Sequence, residues 1–145
     1  MISFTLLFYK INSVSLVYRT LRGDMSSLFP KPSEDTFNEL ALTNPKMLEE
    51  WILTGRLAPS FLTFAIESLG SISGDEFVPT LLKVTEHVNP ITREGAIYGL
   101  SHHLGNALVK ERVHRLSQQD VNADIRKLAT EILTDYGDRL VTAPQ

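Results

Sequence analysis

Few side chains in this sequence have the types and spacing for chemistry: the tandem His102-His103, the run KERVHR (110–115), Glu86-His87 and one tryptophan, Trp51. A histidine pair invites a metal ion. Adjacent positions on a helix point about 100° apart, however, so the two rings cannot readily share one ion. Helical spacing sets His103 beside Leu100 and Leu104 at the edge of an apolar stripe. It leaves His102 toward solvent near a helix end, where positive charge is favourable. Within KERVHR, Lys110 and His114 share a face, and Glu111 stands four residues before Arg115, an acid–base pair that neutralises part of the charge. Trp51 has Met47, Leu48 and Ile52 as helical neighbours and reads as core. The absence of cysteine excludes disulfides, thiol nucleophiles and Cys-type zinc sites together. No Gly-rich phosphate loop, nucleophile elbow or paired-carboxylate spacing is present. The expectation is no catalytic, metal or cofactor site, and a protein that binds rather than transforms.

The elements that would position these residues repeat. LAPSFLTFAIESLG (57–70), VNPITREGAIYGLS (88–101) and NADIRKLATEILTD (122–135) align with Ala65, Ala96 and Ala129 in register, at offsets of 31 and 33. Leu69, Leu100 and Leu133 then coincide, and Arg93 falls on Arg126. The second helices after the first two copies also match, Leu108 on Phe77, Val109 on Val78 and Val113 on Leu82. Fixed-period self-similarity of this size marks stacked helical hairpins.

Local punctuation agrees. Ser33 reads as an N-cap with Glu34 and Asp35 in the first turn, and Asn44-Pro45 and Asn89-Pro90 as helix starts. Asp75 is expected to cap the helix carrying Phe77, Val78, Leu81 and Leu82, with Pro79 tolerated in its first turn. Gly55, Gly105 and Gly137 are expected terminators. Period-two alternation is absent.

Composition fits one modest domain, able to bury roughly 68–70% of its unfolded surface. The formal charge is −3, and residues 1–24 carry Lys10, Arg19 and Arg22 against Asp24, so the remainder stands at −5. An acidic body argues against a surface built to neutralise phosphates. Residues 1–24 form an apolar leader whose late charge and missing cleavage pattern do not suit a secretory signal, and whose polar interruptions do not suit a membrane span. Its Ser and Arg content without early acids also resembles a transit peptide. The favoured expectation is a start at Met25, otherwise an unanchored segment. The repeat domain is expected over 25–140, with a frayed tail at 141–145.

RLSQQDVNADIRKLATEIL (115–133) resembles the core of a HEAT repeat, and NPITREGAIYGL (89–100) is similar to the same element. The resemblance implies an all-α right-handed superhelix of about three hairpins, armadillo-like, the amino-terminal pair acting as an atypical cap. It also implies that Asp120, Arg126 and Arg93 brace adjacent units; the first copy has Leu62 where the others have arginine. Second helices generally line the concave face of such stacks, which makes Thr80, Lys83, Arg112, Arg115 and Gln119 the candidate partner-binding stripe. The expected function is a non-catalytic, cytoplasmic protein-interaction scaffold whose guest is an acidic peptide or another protein's helix. Nucleic acid and membrane are not expected partners, and self-association through the end faces stays open. The alternative is an enzyme or enzyme accessory of the HEAT-like lyase or DNA glycosylase kind. The His-Glu pairs of the HEAT-like deoxyhypusine hydroxylases are absent.

Overall fold

Prolines and asparagines decide where the helices begin. A computed structural model of the chain describes residues 33–142, and over these residues it is all-α, with seven helices and no strand. Helix α1 spans Glu34–Thr43, α2 Pro45–Leu53, α3 Pro59–Gly70 and α4 Val78–Val84; α5 spans Pro90–Ser101, α6 Ala107–Gln119 and α7 Ala123–Thr142. Three of them open on proline, where the missing N–H costs nothing. Asparagine side chains accept orphan first-turn N–H groups: Asn44 from Met47 at 3.3 Å, Asn89 from Ile91 at 2.9 Å, Asn106 from Leu108 at 3.0 Å and Asn122 from Asp124 at 2.8 Å. At Ser33 the backbone N–H donates to Thr36 Oγ1 at 3.1 Å. Gly55 follows α2 at φ +66, a left-handed turn that glycine enters without steric cost.

Odd-numbered helices pack in succession, α1 on α3, α3 on α5 and α5 on α7, while α2 and α4 lie against α3, α4 and α6 against α5, and α6 against α7. Their inward stripes form one buried cluster that runs from Phe37 and Trp51 through Ile66, Leu81 and Ile97 to Val113 and Ile125. The closest approach is between α3 and α5, where a Cβ on Gly70 would stand 2.2 Å from the Gly99 Cα. Polar ties between units share one reach. Asn38 with Ser68, Glu49 with Thr80, Thr63 with the Ile91 carbonyl, Asp75 with Asn106 and Glu86 with Arg112 all join residues 26 to 31 positions apart. Helices thus meet their neighbours in the chain, and five polar ties reach 26 to 31 positions along it.

Several boundaries differ from the sequence reading. Asp75 does not cap α4; its backbone carbonyl accepts from the Val78 N–H at 3.2 Å, and the helix begins at Val78. Pro79 explains the shift, since proline is free of cost only within the first turn. Helix α5 ends at Ser101 rather than Gly105, and the chain turns through His103 before Asn106 starts α6. Gly137 does not stop α7, which runs to Thr142; the residues after it are helix-compatible and Gly137 itself sits in open space. The pairing of Leu108 with Phe77 also fails, because Leu108 is 64% exposed while Phe77 is buried. The expectations for residues 1–24, Met25 and 143–145 lie outside the described residues.

Candidate functional site

Two turns of the same build bring the principal polar cluster together. The turn before α5 reads Glu86-His87-Val88-Asn89, and the turn before α7 reads Gln119-Asp120-Val121-Asn122. Each is clamped by an arginine one turn into the following helix. Arg93 Nη1 donates to the His87 carbonyl at 2.9 Å and the Val88 carbonyl at 3.1 Å, and Arg126 Nη1 donates to the Asp120 carbonyl at 2.6 Å. The two turns are then joined. Arg93 Nε and Nη2 donate to Asp120 Oδ2 and Oδ1 at 2.9 and 2.7 Å, a bidentate pair whose side chains are only 8% and 5% exposed. Burial by itself pushes the Asp120 carboxyl up. Hydrogen bonds from Arg93 and the Asn122 N–H, with the charges of Arg93 and Arg126, outweigh that and hold it below its ordinary value.

Helix α6 forms the wall beside these turns. Arg112 uses Nη1 to reach Thr85 Oγ1 at 2.8 Å, Glu86 Oε1 at 3.0 Å and, at 3.4 Å, the Leu82 carbonyl, which ties α6 to the end of α4. Between wall and turns lies a groove of about 500 Å³ that gathers Arg112, Arg115 and Gln119 with the Arg93–Asp120 pair, Glu86, Val88 and Val121. Three arginines line it against two carboxylates, on a chain whose formal charge is −3. Arg93 and Arg112 have their carboxylates. Arg115 is exposed and has no ion pair among the described residues.

The five candidate positions thus divide. Arg112, Arg115 and Gln119 converge on the groove. Thr80 is buried and its hydroxyl donates to Glu49, so it is withdrawn from the surface. Lys83 is exposed on α4 but does not line the groove. The Glu111–Arg115 pair expected from spacing is not among the ion pairs, whereas Lys127 and Glu131 do pair at the same spacing, at 3.8 Å. Arg93 and Asp120 carry the site's geometry; the sequence reading named both, with Arg126, as braces and did not place them in the partner-binding stripe.

The histidines separate. His103 is buried, and its Nε2 donates to the Gly70 carbonyl at 2.8 Å, with Nδ1 3.7 Å from Asp75 Oδ1. A carbonyl only accepts, which fixes the proton on Nε2. His102 faces a second groove of about 500 Å³ between α5 and α7, with Tyr98, Tyr136, Asp135 and Arg139. Lys110 of KERVHR lies 6.0 Å from the centre of the Tyr136 ring. Trp51 is core. Among the described residues no group of three or more His, Asp or Glu stands ready to hold a metal ion, and no helix is long and apolar enough to cross a membrane.

Three carboxylates on successive odd-numbered helices act on one another, Glu34 on α1, Glu67 on α3 and Glu94 on α5. Burial first, then repulsion from Glu34 and Glu94, raises the Glu67 carboxyl above its ordinary value. Compared with protein-family models, with curated proteins and with solved structures, the chain finds no match.

Proposed function

We propose that this chain is a non-catalytic protein-interaction module, a right-handed α-α superhelix of about three HEAT-like hairpins that receives a partner protein on its second-helix face. The stacked reading is supported by ties that reach one period along the chain and by odd helices that each pack on the next. One observation carries the binding reading: a groove with an unpaired arginine on a molecule of net negative charge. A negatively charged segment of a partner complements it, and complementarity of this kind chiefly sets specificity and encounter rate. Nucleic acid is the poorer guest, because one uncompensated cation is far from the row of lysines and arginines a phosphate backbone requires. The reading places the protein in the cytoplasm, with self-association through the end faces as a secondary property.

Affinity capture from the native host, with proteins identified by mass spectrometry, tests this when wild type and R115E are run side by side. A specific partner retained by the wild type and lost by R115E is expected. No specific protein from either, together with tight binding to duplex or damaged DNA, or a chromophore that copurifies with the chain, would overturn it in favour of a glycosylase- or lyase-like role.

A further inference from the structure

Helix α7 outruns the period. The register that aligns Ala65, Ala96 and Ala129 also aligns Gly70, Ser101 and Thr134. Helices α3 and α5 end at the first two of these, whereas α7 continues through residues 135–142, about two turns more. The second groove, of about 500 Å³, lies where that extension meets the end of α5 and the turn that follows it, and its size is that of a small-molecule site. It shares no lining residue with the partner groove.

The lining mixes an apolar wall with polar groups that have no partner. Leu104 is buried, and Ile132 and Tyr136 are half-buried. The Tyr136 hydroxyl stands 4.0 Å from where a Cβ on Gly105 would lie and makes no hydrogen bond among the described residues. Asp135 and Arg139 stand at i and i+4 on α7 with the acid first, the better order for an ion pair. On the same helix Lys127 and Glu131, in the poorer order, pair at 3.8 Å. Asp135 and Arg139 do not pair, and neither has another ion pair among the described residues. Both line the groove, which therefore holds one uncompensated charge of each sign.

We infer that this groove binds a free α-amino acid with an apolar side chain, its ammonium on Asp135, its carboxylate on Arg139 and its side chain against Leu104 and Ile132. At i and i+4 the two Cβ atoms stand about 5–6 Å apart, so a ligand whose two charges sit on one carbon reaches both side chains at once. A simple anion would meet Arg139 beside a repelling Asp135, and a simple cation would meet the reverse. A neutral apolar molecule would desolvate both charges without pairing either, which is unfavourable. A polar amino acid would pair the charges but leave the apolar wall without a contact.

The test is calorimetric titration of the full chain with L-leucine, with isopentylamine (leucine without its carboxylate) and with isocaproate (leucine without its ammonium). Leucine is expected to bind with a Kd of about 5 mM or tighter, and each of the other two at least about fivefold more weakly. R139Q should erase the preference for leucine over isopentylamine, and D135N the preference over isocaproate. Both residues are exposed, so these variants retain the wild-type circular dichroism spectrum. G105L puts a side chain beside the Tyr136 hydroxyl at a position whose φ is not in the left-handed region, and should abolish leucine binding without touching either charge. A weaker leucine Kd, equal binding of the three compounds, preferences that survive in R139Q and D135N, or full binding by G105L would each overturn the inference.

Discussion

Replacing Asp120 by asparagine keeps the volume and one acceptor oxygen but removes the charge and turns an N–H₂ group toward the donors of Arg93. In the native protein the two side chains are 8% and 5% exposed and meet through two hydrogen bonds of 2.9 and 2.7 Å. Breaking a buried pair from one side costs about 3–5 kcal/mol, because it strands the other charge. Arg93 keeps its bonds to the His87 and Val88 carbonyls, so the lower end applies, about 3 kcal/mol. Against a total of roughly 5–15 kcal/mol that is a large share. In urea, with a slope of about 1.5 kcal/mol/M, the midpoint should fall by about 2 M. On heating, the melting temperature should fall by about 12 °C.

Two controls separate the pair from a general loss of packing. In a double-mutant cycle, R93M/D120N should be more stable than the sum of the singles by at least about 1 kcal/mol. The pH profile supplies the second. Because the folded carboxyl titrates below its unfolded counterpart, the contribution of the pair is complete above about pH 4. It is lost as pH falls from there through the lowered folded value. D120N should therefore show a flatter profile than wild type in that acid window and a constant deficit above it. A urea midpoint within about 0.3 M of wild type at pH 7, strict additivity, or an unchanged acid profile would each refute the role given to this pair.

Glycine positions give a second, graded prediction. G70A drives a Cβ to 2.2 Å from the Gly99 Cα, backbone against backbone, and should cost about 3 kcal/mol or more; G99A meets Leu81 Cδ2 at 3.2 Å and the backbone at Gly70 Cα and Ile66 O at 3.3 Å, a milder crowding partly offset by about 1 kcal/mol of helix propensity, and should cost clearly less than G70A. Equal melting temperatures for the two variants would mean that α3 and α5 do not approach as described. A third prediction concerns Glu67, whose carboxyl is raised by burial and then by Glu34 and Glu94. A raised carboxyl weakens the fold as pH climbs from the ordinary carboxylate range through the raised value, so E67Q should be the more stable protein at pH 7, with the advantage disappearing near pH 4; denaturation at the two pH values decides, and a destabilised E67Q at pH 7 rejects it.

The helical class and the period were legible because apolar side chains must recur where the interior recurs. Ala65, Ala96 and Ala129 are all fully buried, as their alignment requires. Depth was not legible. Periodicity puts Thr80 and Arg115 on the same row of second helices, yet one is sealed under Glu49 and the other stands in solvent, a distinction that depends on the neighbouring unit and not on the helix itself. Helix ends failed for a related reason. Asp75 has the chemistry of a cap, but the position of Pro79 and the pull of Asn106 on the Asp75 carboxylate, at 2.8 Å, assign it elsewhere. The Glu111–Arg115 spacing permits an ion pair without requiring one, since an exposed pair is worth little against side-chain entropy.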